Sequence, residues 1–361
     1  MLYNGIRIRN PGTDGNMILG NYIGTDITGT VDLGNNDHGV HVRLNAANNT
    51  IGGTASGARN LISGNNEEGV RLIDSGTTGN TVQGNYIGTN ISGTANLGNT
   101  KNGVGIWDGA SINAIGGTTP GAANRIAFSG LGGVVVLGNA TTDNAIRGNS
   151  HFENAILGID LSGPGLTPND PGDGDTGPNN IQNFPDVTAA NVAGGSLLVT
   201  YSVDSNPPNA TYPLAIDFFK ADAADEEGQT FLISDSYTET DHGGCGTPPC
   251  MKAANLGSVA ALEVSPGQKL VATATDDAGN TSEFSLFITV SSASGARYVA
   301  TTGSDAGNDC MNPANPCATV GRAVDQAAVG DIINVAAGTY TEPGLIIDKA
   351  VIVQGAGVIV Q

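Results

Sequence analysis

Up to about residue 160 the chain consists of short stretches in which apolar and polar residues alternate, each closed by Gly or Asn. Thr81-Val82-Gln83 and the run Gly103-Val104-Gly105-Ile106-Trp107 are examples. A period of two with turn residues at the ends predicts short β-strands, because successive side chains on a strand point to opposite faces. No helical period interrupts this part.

The stretches repeat. Asn16 to Thr25 (NMILGNYIGT) returns as Asn80 to Thr89 (NTVQGNYIGT) and, degraded, as Asn144 to Asn149 (NAIRGN), at successive offsets of 64 residues. Asn49 to Thr54 (NTIGGT) returns as Asn113 to Thr118 (NAIGGT) at the same offset. The strand motif Gly5-Ile6-Arg7-Ile8 recurs at Gly69 and Gly133, with half-step copies at Gly39 and Gly103. The unit is thus a pair of related segments of about 32 residues, none able to bury its own apolar side. Such segments stack as a solenoid, with matching residues aligned at a rung spacing of about 4.8 Å. Aliphatic residues at the second and fourth motif positions then point inward. Asn16, Asn49, Asn80, Asn113 and Asn144 fall at a turn and would form a structural amide ladder.

The strings NTVQGNYIGT and NTIGGT, with Arg59 to Asn65 (RNLISGN), resemble the right-handed parallel β-helix repeats of large bacterial secreted and surface proteins, over residues 1–162. The resemblance implies a pectin-lyase-like fold. It implies no single activity, since lyases, phage tailspikes and non-catalytic adhesin-like proteins share such coils.

Residues 163–183 form a Pro/Gly/Asp-rich junction, PGLTPNDPGDGDTGPNN from Pro164 to Asn180. Over 184–291 the alternating runs lengthen and lose the repeat, as in Ser196 to Val203, Leu214 to Phe219, Lys269 to Thr275 and Glu283 to Val290. A compact antiparallel β-sandwich fits. Ala272 to Ser282 (ATATDDAGNTS) is similar to the closing strands of bacterial immunoglobulin-like modules, which implies a spacer role. Residues 296–361 resemble the opening of a second pectin-lyase-like β-helix: apolar Val320, Ala323, Val324, Ala327 and Ala328 predict a capping helix between Ala318 and Ala328. Ile332 to Val335 and Ala350 to Gln354 would be the first strands. The expected fold is all-β: a right-handed parallel β-helix, an antiparallel β-sandwich and the capped first coil of a second β-helix. Because the first solenoid begins mid-motif at Gly5 and the second stops at Gln361 after about one coil, the chain reads as a segment of a longer protein.

Composition sharpens this. The 361 residues carry 14 Lys and Arg against 34 Asp and Glu, a net charge of −20, which argues against nucleic acid and anionic membrane as partners. No run is long enough for a membrane helix, and no signal peptide is visible. Cys245/Cys250 and Cys310/Cys317 are close pairs in turn-rich loops, expected as two disulfides in an oxidising, extracellular setting; four free thiols is the alternative.

The third and fifth positions of the Gly-Val-x-Val-x motif are expected to face solvent. They bring together Arg7, His41, Arg71, Gly105 and Val135, and Arg9, Arg43, Ile73, Trp107 and Leu137. Arginine forks grip carboxylates and sulfates, and Trp offers a stacking face, so Arg7, Arg9, His41, Arg43, Arg71 and Trp107 are a candidate site for a polysaccharide or cell-surface glycan. The alternative is a solvated sheet face. Asp74 and Asp108 end equivalent strands and are candidate carboxylates for glycoside hydrolysis, or else turn residues. His38 and His41 stand alone and read as solvated turn and strand residues rather than as ligands. Asp160, Asp170, Asp173 and Asp175, with Asn169 and Asn179, are candidate calcium ligands, the alternative being an unliganded acidic linker. Asp276, Asp277 and Asn280 are a second, weaker calcium candidate, which a tight Asp-Ala-Gly-Asn turn explains adequately. The function these patterns favour is a non-catalytic, adhesin-like or structural segment of an extracellular protein; the alternative is a polysaccharide lyase or glycoside hydrolase of the pectin-lyase-like class.

Overall fold

The computed structural model describes residues 3–193, 195–224, 226–292, 295–327, 331–347, 349 and 351–360. Ala328 of the expected helix and Ala350 of the expected strand lie outside the described residues. The chain is all-β in character and divides into two compact units: 1–188 with 200–254 and 268–288, and 189–199 with 255–267 and 289–361.

In the first unit three parallel sheets are built by one strand from each repeat. The six-stranded sheet runs Ile6–Arg9, Val40–Arg43, Val70–Ile73, Val104–Trp107, Val134–Leu137 and Ile159–Leu161 in spatial as in chain order. Two five-stranded sheets repeat that order, one from Met17–Ile18 to Ala145–Arg147 and one from Tyr22–Ile23 to Ser150–Phe152. Every strand pairs with its counterpart in the next repeat, an arrangement compatible with a parallel β-helix.

The inward positions are as the pattern predicts: Val40, Val42, Val70, Leu72, Val104, Ile106, Val134 and Val136 are fully buried and share one core with Ile51, Val82 and Ile115 of the second sheet. The glycine that opens each six-stranded-sheet motif is required by a close approach. A Cβ on Gly69 would sit 2.8 Å from the Gly103 carbonyl oxygen and 2.8 Å from Ile87 Cγ2.

The turns carry the polar counterpart of that core. Asn49 Oδ1 accepts from Asn16 N and Nδ2, Asn80 Oδ1 from Asn49, Asn113 Oδ1 from Asn80, and Asn144 Oδ1 from Asn113, at 2.8–3.2 Å. This is the expected ladder. A second, unexpected one joins Asn21, Asn60, Asn85, Asn124 and Asn149 in the same way. A third joins Asn35, Asn65 and Asn99. Each satisfies backbone donors that a buried turn would otherwise strand.

The last repeat ends against side chains from later in the same unit. Asn179 Oδ1 accepts from Asn144 N, Thr281 Oγ1 from Ile146 N, Glu227 Oε2 from Asn154 N, and Glu283 Oε1 from Leu161 N. Arg147 forks onto Asp217 through Nε at 3.0 Å and Nη2 at 2.6 Å. Asn179 belongs to the junction and Asp217 to Leu214–Ala221, the central strand of an antiparallel sheet, which pairs with Gly228–Tyr237 and Lys269–Thr275, while Glu227, Thr281 and Glu283 lie just outside its strands. The apolar core continues from Ile8 through Leu161 to Phe219, Val271 and Phe284.

The second unit, by itself, holds a parallel sheet of Ala296–Val299, Ile332–Val335 and Ile352–Gln354, a second parallel pair, and the helix Val320–Gln326 capped by Thr319. Val320, Ala323 and Val324 of the helix pack with Val299, Ile333 and Tyr340. Disulfides join Cys245 to Cys250 and Cys310 to Cys317. Among the described residues no helix is long and apolar enough to cross a membrane.

Candidate functional site

The two columns read from the sequence are columns in the structure. Strand register aligns Arg7, His41, Arg71, Gly105, Val135 and Asp160 along one, and Arg9, Arg43, Ile73, Trp107 and Leu137 along the other. Their exposure is not uniform. Arg7 and Arg9 are exposed, and Arg43, Arg71 and Trp107 are half-buried, but His41 is only 4% exposed. The expectation of solvated histidines is therefore corrected: His38 is buried as well, because the turn preceding each strand folds over the column.

That turn brings together groups distant in sequence. His38 Nδ1 lies 2.7 Å from Glu68 Oε2, and its Nε2 lies 3.0 Å from Asp37 Oδ1. The His38 and His41 rings meet edge-on with centroids 4.6 Å apart. Glu68 occupies the position of His38 one repeat later and is fully buried; Asn102, one repeat further, reaches its Oε1 at 3.4 Å. Arg71 closes the cluster, with Nη1 3.8 Å from Glu68 Oε2 and 3.4 Å from His38 Nε2, and its guanidinium stacks 4.0 Å from the Trp107 ring centroid.

The electrostatics follow from burial and from these neighbours. Burial, reinforced by the charges of His38, Arg71, Arg43 and Arg7, drops His41 to about 3, so its imidazole is neutral. Burial alone would raise Glu68, but the contact with His38 and the charges of His38 and Arg71 outweigh it and hold the carboxylate below its usual range.

Of the two carboxylates proposed for hydrolysis, Asp74 is held by the neighbouring strand, and both sit in turns. Asp74 Oδ2 accepts from Arg43 Nε at 3.3 Å and from Leu44 N at 3.2 Å, and both Asp74 and Asp108 have left-handed backbone, as turn residues do. At the junction Asp170, Asp173 and Asp175 converge, whereas Asp160 stays in the sheet column, buried, its carboxyl pushed up to about 6 by desolvation. Asp173 is already served by protein donors: Oδ1 by Asn183 N, and Oδ2 by Gln182 Nε2 and Ser205 Oγ. Asn169 bonds Phe184 and Asn179 extends the first ladder, so neither faces the acidic cluster as a free ligand. Asp276 accepts from Gly279 N and Asn280 N, the expected tight turn.

Sequence reasoning missed the group formed by Asp37, His38, His41 and Glu68. The signal was there: a His-x-x-His spacing preceded by Asp, with Glu68 at the position of His38 in the next repeat of the stacked strands. No protein-family model matches the chain, and no curated protein is significantly similar to it.

Proposed function

We propose that this chain is a structural, adhesin-like segment of an extracellular protein. In this reading it comprises a right-handed, pectin-lyase-like parallel β-helix, an immunoglobulin-like sandwich and the capped opening of a second β-helix. The observation that carries the reading is the run of asparagine ladders, in which buried turn amides bond the next repeat and the first ladder continues into Asn179 of the junction. A side-chain system devoted to holding repeats in register is what a load-carrying, protease-resistant spacer needs. Two disulfides fit an oxidising compartment.

Glycan contact belongs to this reading on the six-stranded sheet, where Arg7 and Arg9 are exposed and Arg43 is half-exposed. The trial is glycan-array binding by the whole chain and by Arg7→Ala/Arg9→Ala, run beside incubation with acidic polysaccharides. Binding lost in the double variant, with no new reducing ends or unsaturated products, supports the reading. Product formation favours the lyase or hydrolase class. Calcium at Asp170, Asp173 and Asp175 stands in this reading as a proposal, tested by a thermal melt in excess chelator.

A further inference from the structure

We propose that Asp37, His38 and His41 form a binding site for a divalent transition-metal ion of the zinc type, with Glu68 orienting His38 from behind. One oxygen of Asp37 and one nitrogen of each histidine lie within 4.8 Å of one another, and Asp37 Oδ1 and His38 Nε2 are already 3.0 Å apart. A tetrahedral zinc ion with ligands at about 2.0–2.2 Å holds its donor atoms about 3.3 Å apart, so small side-chain rotations close the set. Two imidazoles and one carboxylate suit first-row transition ions better than calcium, which takes oxygen donors.

The second, independent observation is the state of His41. It is 4% exposed, and neither ring nitrogen has a hydrogen-bond partner. An unpaired buried polar group is costly, and a metal bond would remove that cost.

Glu68 supplies what metal-binding histidines ordinarily have, a carboxylate on the far ring nitrogen. Its Oε2 is 2.7 Å from His38 Nδ1, out of line for a hydrogen bond, and a slight ring rotation aligns it. Nδ1–H then donates to Glu68 and leaves the Nε2 lone pair facing Asp37 and His41. Glu67 also approaches His38 but is paired with Lys101, which leaves the Asp37 side as the open one. The backbone of the turn is fixed, since Gly39 N donates to Glu68 O and a Cβ on Gly39 would meet Gly69 O at 2.6 Å. The opposing charge is Arg71, 3.4 Å from His38 Nε2, with Arg7 and Arg43 flanking His41 in the sheet. Arg71 therefore weakens the site, and stacking on Trp107 gives it a place to stay when a cation enters.

The test is calorimetric titration of the full chain, freed of metal by chelator dialysis, with zinc ions, backed by the visible spectrum of the cobalt-substituted protein. The expected result is one tight site per chain with an imidazole-ligated cobalt spectrum. Asp37→Asn and His41→Ala should each lose it, Glu68→Gln should weaken it by roughly 10–100-fold, and Arg71→Leu should tighten it. Thermal melts without metal establish that each variant folds. If His41→Ala does not fold, the half-exposed Asp37→Asn gives the answer. Absence of a tight site in the full chain, or zinc binding equal in the folded variants and so due to the acidic surface, overturns the proposal.

Discussion

Glu283 Oε1 accepts the backbone N–H of Leu161 at 2.8 Å, a hydrogen bond that spans 122 residues and closes an edge of the last repeat. Exposed strand edges invite pairing with other chains, and here side-chain acceptors occupy donors in and beside the end strands, Ile146 N among them.

This closure makes stability depend on pH. Burial pushes Glu227 up to about 8 and Glu283 to about 7, and likewise Asp173 to about 7 and Asp160 to about 6. Each keeps a proton in the folded state that the unfolded chain releases near its ordinary carboxyl value. Their contribution is therefore complete below about pH 4 and is lost as pH rises through 6 to 8. His41 and His151, both held near 3 by burial, act in the opposite sense: the unfolded chain takes up protons below about pH 6.5 and the folded one does not. The two opposing slopes cancel at about pH 4 to 5, so denaturant unfolding across pH should show its maximum there and a decline from there to about pH 8. Glu227→Gln with Glu283→Gln should flatten the alkaline side; an unaltered alkaline slope would contradict the assignment.

The middle of an asparagine ladder should matter more than its end. Asn80→Ala leaves Asn49 N and Nδ2 without their acceptor and removes bonds to Asn113, Ala46 and Thr78. A loss of about 2–4 kcal/mol is expected, against less than about 1 kcal/mol for the exposed Asn16→Ala. Urea unfolding of the two variants measures both.

Gly69→Ala tests the close packing of repeats. Its methyl would press on the Gly103 carbonyl, the Asn99 amide and Ile87 at 2.8 Å each. Relief requires neighbouring repeats to separate, so a loss of about 1–3 kcal/mol is expected in the same unfolding assay. A neutral substitution would mean the stack yields more easily than its packing implies.

The disulfides should differ in accessibility. Cys245 is exposed, whereas Cys310 and Cys317 are fully buried. Mild reductant followed by alkylation and mass spectrometry should label the 245–250 pair well before the 310–317 pair.

What the sequence makes legible is whatever recurs. The 64-residue repeat exposes the inward aliphatic residues, and the Asn16–Asn144 series gives one ladder, because each copy bonds the next copy of itself. The Asn21–Asn149 ladder was equally visible in the GNYIG motif and its degraded copies, but Gly and Asn there read as ordinary turn residues. The closing contacts Asn154–Glu227 and Leu161–Glu283 have no repeat to announce them, since each joins a solenoid turn to an unrelated segment. The columns were correctly aligned, but their exposure was not: alternation places His41 outward, and only the turn of the repeat, bearing His38 and Glu68, covers it.

Side-chain hydrogen exchange reads the register of the stacked turns residue by residue. In two-dimensional NMR of the whole chain, the Nδ2 protons of Asn80, Asn85 and Asn99 should exchange only as slowly as the surrounding core strands open, while those of the exposed Asn21 exchange faster. Exchange of the three buried amides at the rate of free asparagine would mean that the ladders do not form and that the repeats are not held in this register.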